Sequence, residues 1–417
     1  MSAPITGGAL LVTGGAGFIG ANFVLDWLAR EGDPVVTLDA LTYAGNLANL
    51  ATVARDPRHT FVHGDIADRA LVARLLREHQ VRAIVHFAAE SHVDRSIAGP
   101  DAFVKTNVLG SFALLEAARE YVGTLPDSAR AAFRFLQVST DEVYGSLGPQ
   151  DPPFSETTAF DPRSPYSASK AAADHLASAA WHTYGLPVLT THCSNNYGPF
   201  QFPEKLIPLM IRNARRGERL PVYGDGQQVR DWLHVSDHCS ALRAVLARAA
   251  PGSRYNIGGS SERPNLEVVR TLCALLDELS PRTDGASYAA QIAFVTDSPG
   301  HDRRYAIDQR RIADDLGWQP QVRFEQGLRD TVRWYLEHED WVRTVESGEY
   351  RRWLDLNYTG RDPGPAGHGS PGSPDTSSGH ADTRAQAAGG GSDKARAASA
   401  IPPDAGTAPA SRKGHAR

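Results

Sequence analysis

Two short runs in this chain bring proton-moving side chains close together. Tyr166-Ser167-Ala168-Ser169-Lys170 sets a phenol and an ammonium four residues apart. On a helix that spacing places both on one face. A free phenol has a pKa of about 10 and is a poor base at neutral pH; a neighbouring ammonium stabilises the phenolate and lowers that value. The second run, Ser139-Thr140-Asp141-Glu142-Val143-Tyr144-Gly145, sets a hydroxyl beside two adjacent carboxyls. Removing hydrogen from an alcohol needs Tyr166, Lys170 and a hydroxyl such as that of Thr140. Asp141 and Glu142 go beyond that need, because a paired acid and base suits an elimination. One carboxyl must then be neutral and its neighbour charged, a division that burial and mutual repulsion can produce.

These side chains need elements to hold them. Phe133–Ser139 reads as a buried strand that delivers the acid pair at its carboxyl end. The Tyr-Lys run opens a helix that continues through Leu176 and Trp181 to Tyr184. Nearer the start, Ala9–Thr13 is a short apolar strand, followed by Gly14-Gly15-Ala16-Gly17-Phe18-Ile19-Gly20 and a helical pattern through Phe23, Leu25, Trp27 and Leu28. A second strand, Pro34–Leu38, ends at Asp39, nineteen residues after Gly20. Gly14 permits the tight turn, Gly17 lets backbone N–H groups approach a pyrophosphate, and Gly20 lets helix and strand pack closely. The helix N-terminus then faces negative charge. Asp39 can hydrogen-bond a ribose hydroxyl and would repel a 2′-phosphate, so the pattern predicts an NAD site rather than an NADP site. A bound nicotinamide cation would further favour the Tyr166 phenolate. Thr60–Ile66 reads as a third strand, with Asp65 as a polar contact and Ile66 as an apolar wall for adenine; Asp65 as a helix N-cap is the alternative. Leu71–His79 is an amphipathic helix and Ala83–Ala89 a strand ending in small residues. Strands alternating with helices imply a Rossmann-type, doubly wound parallel sheet, whose ligands lie beyond the carboxyl ends of its strands.

Composition narrows the classes further. Apolar residues make up 41% and charged residues 22%, enough for a large core. No stretch reaches the ~18–20 apolar residues of a membrane span. The first residues lack a basic segment followed by an apolar one, so no signal peptide is expected. Cys193, Cys239 and Cys273 are scattered and fit a reducing cytoplasm. His86 and His92 have no partners at metal-ligand spacing, so no metal is expected. With 43 basic and 48 acidic residues the net charge is −5, which argues against nucleic acid as a partner.

Longer blocks then carry a resemblance. Ala88–Ser96, Cys193–Pro199, Phe202–Pro208, Arg230–Val235 and Pro299–Tyr305 occur in order with the two catalytic runs. From about residue 8 to 335 the chain resembles the dTDP-glucose 4,6-dehydratases, hydro-lyases of the extended short-chain dehydrogenase/reductase family. The resemblance implies a reaction. Tyr166, tuned by Lys170 and aided by Thr140, takes the C4 hydroxyl proton of the nucleotide-bound glucose while tightly held NAD+ takes hydride. The ketone acidifies C5; Glu142 removes that proton and Asp141 protonates the departing C6 hydroxyl. Hydride returns to C6, leaving a 4-keto-6-deoxy sugar nucleotide. The resemblance also places Thr42, Phe87, Ala88, Ala89, Ser91, Thr106 and Asn196 around the cofactor. One departure is His234, where the family usually has Tyr or Phe; little consequence is expected.

From about 195 the elements shorten, as in a smaller mixed α/β substrate lobe. The expected division is 8–194 for the NAD-binding domain with the catalytic residues, and 195–358 for that lobe, with some chain returning to the sheet. There, Lys205 suits a phosphate, Leu206 an apolar contact, Pro221 and Tyr223 a base, and the Arg230 fork a diphosphate. The resemblance adds Ser91, Asn195, Asn265, Asp297 and His301 as sugar-nucleotide contacts. Residues 360–417 are nearly free of large apolar side chains and are expected to be a disordered tail. Helices Ser111–Tyr121 and Ser169–Tyr184, with alanines read onto their outer faces, match those that pair as a four-helix bundle in the family's homodimers. Two rival readings are a sugar-nucleotide 4-epimerase or decarboxylase on the same scaffold, which leaves Asp141-Glu142 unexplained, and a non-catalytic NAD-binding sensor, which leaves Tyr166-Lys170 unexplained.

Overall fold

Strand β1 (Leu10–Thr13) is an interior strand of a seven-stranded, wholly parallel sheet. The fold comes from a computed structural model that describes residues 8–297 and 302–346. The expected tail and His301 lie outside the described residues. Around β1 stand β2 (Val35–Asp39), β3 (His59–His63), β4 (Ala83–His86), β5 (Arg134–Thr140) and β6 (Val188–Cys193). Three further strands, β7 (Asn195–Tyr197), β8 (Leu220–Tyr223) and β9 (Val229–His234), precede β10 (Arg254–Ile257), which returns to the sheet edge. The order is β10-β6-β5-β4-β1-β2-β3. It reverses beside β1, so β1 and β4 diverge into opposite halves and open a crevice above their carboxyl ends.

Helices cover both faces, which is why these strands read as unbroken apolar runs. Leu10, Val12, Val35, Val85, Leu136 and Val138 pack towards helices Phe18–Arg30 and Val235–Arg248. Leu11, Val36, Leu38, Ile84 and Phe135 pack towards Arg69–Glu78 and Ser111–Gly123. The alternation within each strand is the period of two. Helix Phe18–Arg30 buries Phe23, Val24, Trp27 and Leu28 along one stripe, each contributing ~1.5–3 kcal/mol by leaving water.

After β7 the chain builds a second lobe. Strands β11 (Glu262–Pro264), β9 and β7 form one small sheet, and β12 (Ile292–Val295) pairs with β8. Helices Leu206–Arg215, Asn265–Leu279 and Phe324–Glu337 enclose its separate core of Tyr197, Trp232, Leu272 and Leu328. The lobes are tied by Trp341, whose Nε1 donates to Asn49 Oδ1 at 2.7 Å.

Two local readings change. The third strand stops at His63, because Asp65 Oδ1 accepts from Ala67 N at 2.9 Å and closes a turn. The N-cap of the next helix is Asp68, accepting from Leu71 N at 2.9 Å, so Asp65 is not the cap. The alanines differ in part from expectation. Ala113, Ala117 and Ala118 of the first helix are all buried, and so are Ala171, Ala173, Ala177 and Ala180 of the second, whereas Ala172 is half-buried and Ala179 is exposed. The exposed apolar side chains near Ser111–Gly123 include Val104, Leu109, Phe112 and Tyr184. No helix among the described residues is long and apolar enough to cross a membrane.

Candidate active site

The carboxyl ends of β1, β2, β4, β5 and β6 open into one continuous cleft. Its floor is the glycine turn. Gly14 has φ +69°, and a Cβ there would meet Ala88 N at 2.6 Å, so only glycine lets β1 and β4 turn apart. A Cβ at Gly20 would meet the Gly14 carbonyl oxygen at 2.3 Å. Gly17 differs: its Cβ would meet only Gly14 O, at 3.3 Å, so its side faces open cleft. Helix Phe18–Arg30 has neither a side-chain cap nor an acid in its first turn. Its first N–H groups are thereby left for an anion. Asp39 accepts from Ala16 N at 2.9 Å through one oxygen and from Leu41 N at 2.8 Å through the other. It braces the glycine turn, and each oxygen keeps a lone pair for a hydroxyl. These features fit a dinucleotide.

The redox pair sits further along. Helix Pro165–Tyr184 starts from Ser164, which with Ser167 forms a reciprocal capping box, and Pro165 fixes its first turn. Tyr166 and Lys170 are both buried. Lys170 Nζ donates to Val138 O at 2.9 Å. Burial lowers the Lys170 pKa, opposed chiefly by the charge of Asp174. Burial is also the largest influence on Tyr166 and pushes the phenol well up; the charge of Glu142 adds to this, and the Thr140 hydrogen bond opposes it.

The acid pair follows β5 in a 3-10 turn, Asp141–Tyr144, capped by Thr140, whose hydroxyl accepts from Glu142 N at 3.3 Å. Asp141 is pushed well above the usual carboxyl range, chiefly by burial and then by Glu142 and Asp231. Glu142 is also raised by burial, but Lys205 and then Arg230 pull it back. Burial thus favours the neutral form of both carboxyls, while Lys205 and Arg230 oppose it at Glu142 and Arg230 opposes it at Asp141.

All the predicted cofactor contacts line this cleft: Gly14, Gly17, Phe18, Ile19, Gly20, Asp39, Thr42, Asp65, Ile66, Phe87, Ala88, Ala89, Ser91, Thr106, Tyr166, Lys170 and Asn196. So do Thr140, Asp141, Glu142, Asn195 and Lys205. Leu206, Pro221, Tyr223, Arg230, Asn265 and Asp297 are not on its wall; they stand in the second lobe. Arg230 lies over the Tyr305 ring at 4.3 Å and donates to Asp302 O at 2.9 Å. Gln228 Nε2 donates to Asp297 at 2.7 Å. His86 is no ligand: its ring nitrogens lie 2.7 Å from Thr13 Oγ1 and 2.9 Å from Ser111 Oγ. His234 packs edge-on against Tyr197 at 5.3 Å and takes a place in that aromatic cluster.

Sequence reasoning missed a cluster at the cleft's rim. Arg95 lies 4.0 Å above the Tyr43 ring and pairs with the buried Glu204 at 3.0 Å. Phe202 meets Tyr43 edge-on at 5.7 Å. Arg95 and Glu204 lie inside two of the resemblance blocks, but neither has local spacing that marks it.

Comparison with known proteins agrees with this geometry. The family model described as GDP-mannose 4,6 dehydratase matches residues 11–331. The chain belongs to that family of nucleotide-sugar 4,6-dehydratases. It is 64% identical over 341 residues to a dTDP-glucose 4,6-dehydratase of Xanthomonas campestris pv. campestris (strain B100), covering 82% of this chain and 97% of that one. It is 53% identical over 360 residues to dTDP-glucose 4,6-dehydratase 1 of Escherichia coli K12, covering 84% and 99%. Among solved structures it resembles DesIV, a dTDP-glucose 4,6-dehydratase of Streptomyces venezuelae with NAD bound, at TM-score 0.74 and 49% identity over 81% of this chain and 100% of that one.

Proposed function

We infer that this chain dehydrates dTDP-glucose to dTDP-4-keto-6-deoxyglucose and water, with NAD+ as a cofactor regenerated each turnover. The carrying observation is the meeting of Tyr166-Lys170 with Asp141-Glu142 in a cleft that begins at the glycine turn. When bound, NAD+ accepts hydride from C4 and later returns it to C6. Gly14, Gly17, Gly20 and Asp39 hold its pyrophosphate and ribose, and Asp65 and Ile66 its adenine. Tyr166 takes the C4 hydroxyl proton, with Thr140 hydrogen-bonded to that hydroxyl. The resulting ketone acidifies the C5 proton, which Glu142 removes. Asp141 gives its proton to the C6 hydroxyl, which leaves as water. Glu142 then returns a proton to C5.

Lys205 and Arg230 take the diphosphate. Ser91, Asn195, Leu206, Pro221, Tyr223, Asn265, Asp297 and His301 complete the sugar-nucleotide site. Two copies pair through the face carrying Val104, Leu109 and Phe112, whose exposure supports a covered surface there. Three free, buried cysteines suit a reducing cytoplasm. An epimerase would leave Asp141 and Glu142 without work, and a sensor would leave Tyr166 and Lys170 without it. Mass spectrometry of dTDP-glucose after incubation tests the reading: loss of one water supports it, whereas an isomer of equal mass or unchanged substrate overturns it.

A further inference from the structure

One buried acid on the catalytic helix has no part in the steps above. Asp174 lies four residues beyond Lys170, on the same face and one turn further along. Three groups converge on its carboxylate. Ser139 Oγ donates to Oδ2 at 2.6 Å, Gln137 Nε2 donates to Oδ1 at 3.2 Å, and His192 Nε2 lies 3.2 Å from Oδ2. All three are buried and project from β5 and β6. His192 is held from behind by the Tyr144 hydroxyl at 3.1 Å, and Tyr144 donates to Asn256 Oδ1 at 2.9 Å. The carboxylate is therefore fixed by the two strands next to the catalytic residues.

We infer that Asp174 is a positioning residue for the redox step, a fixed counter-charge that keeps the buried Lys170 ammonium protonated beside Tyr166. This rests on the reading of Tyr166 and Lys170 given above. The physical need is plain. An ammonium in a dry site loses its proton more easily than one in water, and a neutral amine no longer stabilises a phenolate. The other titratable groups facing Lys170 do not meet that need. His86 is a neutral ring whose pKa burial lowers to about 3, and Cys193 is a thiol pushed up to about 12. Tyr166 is itself the group to be ionised. Asp174 in turn is faced by Lys170, His192 and Tyr144. Ser139 thus has a function of its own: it aims Asp174, while Thr140, the next residue, serves the cleft.

The sign follows directly. Without the charge at position 174 the Lys170 pKa falls further, so the ammonium is lost at lower pH. The alkaline limb of hydride transfer should move down by about one pH unit, and the acid limb and KM should stay. Asp174→Asn and Asp174→Ser remove the charge with different shapes, so one can substitute if the other fails to fold. Asp174→Glu keeps the charge. With the full NAD-loaded chain, formation of enzyme-bound reduced nicotinamide is followed by absorbance across neutral to alkaline pH. The chain has only five lysines, so isotope labelling of lysine side chains lets NMR follow the Lys170 titration without any turnover. The charge-free variants are expected to lower that midpoint by about one unit, and Asp174→Glu to leave it. A midpoint and alkaline limb unmoved in every variant, with only the rate reduced, would overturn the proposal. Failure of the dehydratase reading would look different: wild-type protein would form no reduced nicotinamide from dTDP-glucose, while the Lys170 titration would still report on Asp174.

Discussion

Lys170 Nζ lies 2.9 Å from the carbonyl oxygen of Val138, two residues before Thr140 on β5. That contact, together with the bonds of Ser139 and Gln137 to Asp174, ties the redox helix to the strand that delivers the acid pair. Oxidation at C4 and elimination across C5 and C6 occur on neighbouring carbons of one ring, so the two sets of groups must keep a fixed spacing. A strand and a helix locked by a buried charge-assisted hydrogen bond supply it.

Tyr166→Phe should separate redox chemistry from folding. The ring remains and keeps its edge-on contact with Phe103 at 6.3 Å. Only the proton acceptor is lost, at a cost of about 10²–10⁴-fold in hydride transfer. Absorbance of bound reduced nicotinamide after adding dTDP-glucose is the measurement; normal formation would remove Tyr166 from the mechanism.

The acid pair makes a pH-dependent claim. Glu142 must be ionised, and its pKa lies above the usual carboxyl range, so elimination should fail as pH falls through that raised value. Asp141 must be protonated and is also raised, chiefly by burial, so elimination should also decline as pH rises through its own value. Glu142→Gln should still oxidise substrate but stall, accumulating reduced nicotinamide and no dehydrated product. Asp141→Asn should slow C6 hydroxyl loss by about 10²–10⁴-fold. Quenched-flow mass spectrometry distinguishes the stalled ketone from product.

Gly20→Ala tests the cofactor cradle. The new Cβ meets the Gly14 carbonyl oxygen at 2.3 Å, and backbone cannot yield as a side chain does. A cost of about 1–3 kcal/mol is expected, with a lower Tm and loss of co-purifying NAD. An unchanged Tm with full NAD content would mean that the turn has room to relax.

The site was legible in the sequence wherever local spacing carries the chemistry. Gly14, Gly17 and Gly20 act within one turn, and Tyr166 and Lys170 within one helical face. Strand ends were less legible. β3 stops at His63 because the Asp65 side chain claims Ala67 N, a competition that apolar patterning does not register. Long-range partners were hidden altogether. Arg95 and Glu204 are separated by 109 positions, and the Tyr43 ring joins them only once β2 is placed beside β1. The same is true of Asp174: its place after Lys170 is visible, but Ser139 and His192 come from strands 35 and 18 positions away.

His238→Gln should change how stability responds to acid. His238 is fully buried, its Nδ1 is 3.0 Å from Asn196 Oδ1, and burial holds its pKa at about 3. In the unfolded chain a histidine takes up its proton near pH ~6.5. Between those values the unfolded state binds a proton that the native state refuses. The stability contributed by the neutral ring is therefore present above pH ~6.5 and is lost as pH falls, by about 1.4 kcal/mol per unit. Glutamine still offers Asn196 a donor and does not titrate, whereas His86, present in both proteins, cancels in the comparison. Urea unfolding at neutral pH and one to two units lower should show the variant gaining on the wild type as pH falls. If the difference between them stays constant with pH, native His238 takes up its proton as readily as it does in the unfolded chain, and the neutral ring beside Asn196 is refuted.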